Sequence, residues 1–112
     1  MSGSKLTGKC REDFDNHVYE NMYQINENSG DMILNAIIIE FLDEKEIYID
    51  IEVIKDKSSG YVRGFESGVI FTMHGDLMAN NSDCLKEDIY ESRLEATNQA
   101  IIKANEIYNH IL

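Results

Sequence analysis

The stretch EIYIDIEVIK, Glu46 to Lys55, decides the fold. Ile47, Ile49, Ile51 and Val53 fall on one face, and Tyr48, Asp50, Glu52 and Ile54 on the other. Alternation with a period of two is the pattern of a half-buried strand. Its apolar face needs a covering layer. Asp50 and Glu52 read as the wet face of that strand rather than as a metal-binding pair.

Working outward, KDKSSG (Lys55 to Gly60) contains no apolar residue, which predicts a hairpin returning from Tyr61. Val69, Phe71 and Met73 alternate again. Gly64 and Ser67-Gly68 mark either a bulge in one long strand or a break between two. His74-Gly75-Asp76 is a turn, and Ala79 to Asp83 reads as exposed loop.

Helices are expected on both sides. Thr7 can cap a helix from about Lys9 to Ile25, with Cys10, Phe14, Val18, Met22 and Ile25 as its apolar stripe and His17 and Tyr19 flanking it. Asn26 to Gly30 is a turn, and Asp31 then serves as N-cap for a second helix, Met32 to Leu42. In that segment Ile33, Ile37 and Phe41 share a face, with Leu34, Ile38 and Leu42 beside it. The β-branched run Ile37-Ile38-Ile39 also suits a strand. Ser92 and Glu95 form a capping box that opens a closing helix. Its stripe is Leu94, Thr97, Ile101, Ala104, Tyr108 and Ile111. That stripe could seat a second copy of the chain, but alanine and threonine make a weak seam, so packing across the sheet is expected. The whole reads as one α+β domain, residues 1–112, in the order helix, helix, two or three antiparallel strands, helix.

Charge excludes one class of function. The chain has 112 residues and a formal net charge of −11, from 21 acidic and 10 basic residues. Nucleic-acid binding draws on clustered Lys and Arg, so a direct nucleic-acid partner is not expected. Met32 to Leu42 is too short to span a bilayer, and Met1 to Arg11 has no apolar leader core, so no membrane partner is expected. A cytoplasmic, reducing setting with both Cys10 and Cys84 free follows, with Cys10 a small buried hydrophobe.

Motifs for chemistry are sparse. His17, His74 and His110 share no ligand spacing with one another or with the cysteines, and no metal or cofactor is expected. Asp76 to Glu87 is a distant echo of a calcium loop, with Met78 where an oxygen ligand belongs. The strand aspartate, the Gly60-Tyr61 return and the helix opening Ser-Arg-Leu-Glu-Ala resemble the first half of a ribonuclease H fold. That resemblance implies metal-binding roles for Asp50 and Glu95, but two carboxylates do not assemble a two-metal site. A truncated version of this fold, as in HicB-type antitoxins, implies a partner-binding module instead. The order helix, three strands, helix is also similar to a double-stranded-RNA-binding domain. That family reads phosphates with a lysine cluster at the start of its last helix, whereas here Asp83 to Glu95 carries five acids against Lys86 and Arg93.

The two ends carry a further likeness. LTGKCREDF (Leu6 to Phe14) and SRLEATNQAIIKANEIYN (Ser92 to Asn109) resemble small phage and prophage proteins found especially in Bacteroidetes. That resemblance implies a bacterial or phage cytosolic setting and brings no activity or catalytic residue. The resulting expectation is a non-enzymatic accessory protein that binds another protein. Its acidic face, Asp43, Glu44, Glu46, Asp50 and Glu52, would engage a basic surface and inhibit a nucleic-acid-binding protein. The alternative is a small-ligand or nucleotide site in which Tyr61, Arg63 and Phe65 stack on a planar group.

Overall fold

A computed structural model describes residues 5–25, 30–82 and 89–111, with the backbone alone for 79–82. The quoted stretch forms β1 (Ile47–Lys55), followed by β2 (Val62–Met73) and β3 (Asp76–Ser82) in an antiparallel sheet of order β1-β2-β3. Three helices accompany it: α1 (Gly8–Glu20), α2 (Asp31–Glu44) and α3 (Arg93–Ile111). The class is α+β, in the expected order with three strands.

Register explains which face is covered. Ile47 lies opposite Phe71, Ile49 opposite Val69, Ile51 opposite Ser67 and Val53 opposite Phe65. These residues share the face on which the helices pack, with Ile47, Val69 and Phe71 fully in the core and Ile49 and Ile51 against it. From α3 the core takes Ala100, Ile101, Ala104, Ile107 and Tyr108, and from α2 Leu34, Ile38, Phe41 and Leu42. The small alanines let α3 approach the sheet closely. Leu94 and Ile111, the two ends of the expected stripe, are exposed. Cys10 is buried as expected, and burial pushes its thiol up to about 12.

α2 is the expected helix despite its β-branched run. Several local expectations are corrected. Gly30 occupies the N-cap of α2, and Asp31 lies in its first turn. α1 stops at Glu20, five residues before Ile25. Met22 takes a left-handed conformation (φ 58°), Met22 N–H bonds to Tyr19 O (3.1 Å), and Tyr23 N–H bonds to Val18 O (3.0 Å). This is a Schellman termination with a methionine where glycine is usual. Met22 therefore leaves the apolar stripe and is 85% exposed.

Thr7 sits at the N-cap of α1 without capping it through its side chain. Asparagines of α3 do that work instead. Asn109 Oδ1 accepts the Cys10 N–H (2.9 Å), and Asn105 Oδ1 accepts the Thr7 N–H (2.9 Å).

β2 is one continuous strand. The extra residue is Arg63, which the register passes over between the pairs Ile54–Gly64 and Lys55–Val62. Residues 79–82 pair with β2 as strand rather than forming loop, and Asp83 lies outside the described residues. Residues 26–29 of the expected turn, Asn26 to Gly30, are also outside them. Among the described residues, no helix is long and apolar enough to cross a membrane.

Candidate functional site

Because the helices take one face of the sheet, the other face carries the polar half of β1. Tyr48 stands opposite Ile70, Asp50 opposite Gly68, and Glu52 opposite Glu66. Tyr48 and Glu52 are exposed, while Asp50, Glu66, Ile54 and Ile70 are half-buried. Two glutamates directly across an antiparallel pair repel one another, so this arrangement carries a cost in the free protein. Among the described residues, no Lys or Arg forms an ion pair with Asp50, Glu52 or Glu66. The result is an acidic strip bordered by Tyr48 and Ile70.

The five acids read from sequence as one face separate into distinct places. Asp50 and Glu52 share the outer sheet face. Glu46 turns the chain from α2 into β1 with φ 60°, and its carboxylate is occupied. It accepts bonds from Thr72 Oγ1 (2.8 Å), Gly75 N–H (2.9 Å) and His74 N–H (3.0 Å). Those donors, the Gly75 amide first, hold its carboxyl below the usual value. Asp43 lies near the end of α2, where partial burial raises its pKa. Glu44, the last residue of α2, faces His17 of α1 with 3.7 Å between Oε2 and Nδ1. Glu66 is the member that reading β1 alone missed. Its place on the strip follows from β2 register, which only the bulge at Arg63 sets.

The stacking trio is divided as well. Tyr61 precedes β2 and is 77% exposed, and Arg63 occupies the bulge. Phe65 faces the helix side, where the Arg93 guanidinium lies 5.0 Å over its ring. The aromatic–arginine stack exists, but Arg93 supplies it rather than Arg63. Arg93 also borders an open apolar groove of about 320 Å³ between α2 and α3, lined by Met32, Ala36, Ile39 and Leu94.

Asp50 and Glu95 lie on opposite sides of the sheet, since Asp50 belongs to the outer face and α3 packs on the inner one. No family model matches this chain, and no curated protein or solved structure shows significant similarity to it.

Proposed function

We propose that this protein is a non-enzymatic accessory module that binds the basic surface of another protein through the outer face of its sheet. One observation carries the reading. Glu52 and Glu66 stand opposed, with Asp50 beside them, on the face opposite the helices, and no Lys or Arg pairs with them among the described residues. A basic partner relieves their repulsion on docking, and the flanking Tyr48 and Ile70 supply apolar contact area. A surface of this charge competes with phosphate for a groove that binds nucleic acid. The likeness of the chain's two ends to phage proteins supports a bacterial or phage cytosol as the place of that partner.

The test uses the intact protein as bait against purified bacterial nucleic-acid-binding proteins. Binding should weaken steeply with salt and be displaced by duplex DNA. The triple reversal Asp50→Lys, Glu52→Lys, Glu66→Lys should abolish it. Reversal of Glu12 and Glu20, exposed acids on α1, should leave it in place. Binding that survives the triple reversal, or that is indifferent to salt, sinks the reading. The free protein offers an independent check. Glu66→Lys alone should stabilise it by about 0.2–1 kcal/mol, because it replaces repulsion with an attractive cross-strand pair.

A further inference from the structure

His17 lies in the last turn of α1, 6% exposed. Its ring is held between Phe41 (centroids 5.4 Å apart) and Tyr23 (6.0 Å). Nε2 is fully buried and makes no hydrogen bond. It faces Glu40 Oε1 at 3.7 Å, while Nδ1 lies 3.7 Å from Glu44 Oε2 and 3.4 Å from the Asn21 amide nitrogen. Glu40 and Glu44 are one turn apart on α2, so both carboxylates project from the same side of the helix. The Tyr23 hydroxyl lies 2.8 Å and 2.7 Å from the two oxygens of Glu40 and donates to that carboxylate, fixing its direction. The Schellman turn at Met22 is what swings Tyr23 back to reach it.

This arrangement has two independent peculiarities. A buried imidazole nitrogen without a partner is uncommon in a folded protein and destabilises it. Two neighbouring carboxylates also meet at that imidazole, and among the described residues no Lys or Arg pairs with either. A single cation answers both. One donor atom from each of His17, Glu40 and Glu44 lies within 4.8 Å of the other two.

We propose that His17, Glu40 and Glu44 form a binding site for a divalent transition-metal ion, of which Zn²⁺ is the best match. One imidazole and two carboxylates suit Zn²⁺ or Mn²⁺, whereas Mg²⁺ and Ca²⁺ favour all-oxygen shells. Tetrahedral Zn²⁺ with bonds of about 2.0–2.1 Å places its donors roughly 3.3 Å apart. The ion bonds one imidazole nitrogen, the unpartnered Nε2 that Glu40 already faces at 3.7 Å, so Glu44, which faces Nδ1, must turn towards it; the side chains of Glu40 and Glu44 are 46% and 61% exposed and free to rotate. Water completes the shell on the open side. Tyr23 acts as the positioning residue, holding Glu40 through its hydroxyl. The ion ties the end of α1 to the end of α2. None of these residues belongs to the acidic strip of the sheet, so this site and the docking surface succeed or fail separately.

The experiment is calorimetric titration of EDTA-treated full-length protein with ZnCl2, repeated with CoCl2 and read by visible absorbance. The wild type should bind one Zn²⁺ and melt about 5 °C or more higher when saturated. Glu40→Gln and Glu44→Gln, both conservative changes at partly exposed positions, should each weaken binding at least tenfold while leaving the circular dichroism unchanged. Tyr23→Phe should weaken it roughly tenfold and leave the stoichiometry at one, consistent with a role exerted through Glu40. Two results overturn the site. One is Zn²⁺ binding that is unaltered in the Glu40→Gln/Glu44→Gln double variant, which assigns the ion to other residues. The other is wild-type binding weaker than about 100 µM, which leaves His17 as a partner of the two glutamates alone.

Discussion

The Tyr108 hydroxyl on α3 donates a hydrogen bond to Asp13 Oδ2 on α1, 2.5 Å away. It joins α1 to α3, and Thr7, Asn105 and Asn109 join the same two helices again. The bond holds the Asp13 carboxyl below its usual value, with Lys9 adding to the effect. Burial, and then Asp13, raise the Tyr108 phenol. Asp13 therefore contributes stability above the ordinary aspartate value of 3.8, and that contribution is lost as pH falls through its lowered value. The Tyr108 contribution is complete below pH 10.0 and is lost as pH rises towards its folded value. Tyr108→Phe should cost about 1–2 kcal/mol in urea unfolding at neutral pH and flatten the acid limb of the stability profile.

Asn105 is buried on α3, where its Nδ2 donates to Thr7 Oγ1 (3.0 Å) and its Oδ1 accepts the Thr7 N–H. Asn105→Leu keeps the volume and strands the Thr7 amide. The expected loss is about 2–3 kcal/mol by chemical denaturation. A double-mutant cycle with Thr7→Val should show coupling between the two residues, since both changes break the same bond.

Gly64, in β2, has φ 155°. A Cβ there would meet the Tyr90 carbonyl oxygen at 2.6 Å and press against the Ile89 side chain. The close approach exists because Phe65 and Tyr90 exchange backbone bonds of 2.9 Å, attaching the segment before α3 to the sheet. Gly64→Ala should cost about 2–3 kcal/mol, and hydrogen exchange at the Tyr90 amide should quicken ahead of amides in β1.

Met22 occupies the left-handed position that ends α1 while exposing most of its side chain. Met22→Gly removes the steric penalty and forfeits little burial. It should stabilise the protein by about 0.5–1 kcal/mol, whereas the β-branched Met22→Val should destabilise it. Paired thermal melts decide the sign.

Glu46 accepts three bonds at the β2–β3 turn, and its carboxyl is lowered from 4.5 by the Gly75, Thr72 and His74 donors. Its contribution is present above pH 4.5 and is lost as pH falls through the lowered value. Glu46→Gln should lower the melting temperature at pH 7 and narrow the gap between wild type and variant at acid pH. A gap that does not depend on pH would show that charge plays no part in holding the turn.

By itself the sequence determined the elements whose signals are local. Ile47, Ile49 and Ile51 declared a strand and its buried face, because alternating side chains admit only one orientation towards a core. Ser92 and Glu95 declared the start of α3, where the Ser92 oxygen accepts the Glu95 N–H (3.1 Å). Tertiary structure decided wherever a residue's partner lies far along the chain. Packing against α3 and the sheet made Met32 to Leu42 a helix, since burying Leu34, Ile38, Phe41 and Leu42 on one side outweighs the modest helix penalty of β-branched residues. Pairing with β2 drew residues 79–82 into a strand that their asparagines disfavour, because strand propensity yields to available backbone partners. The candidate sites depend most on this non-local information. Glu52 meets Glu66 only through a register shifted by one bulged residue. Glu44 leaves the acidic face for His17 because the crossing of α1 and α2, which no local pattern encodes, brings an imidazole and two carboxylates together.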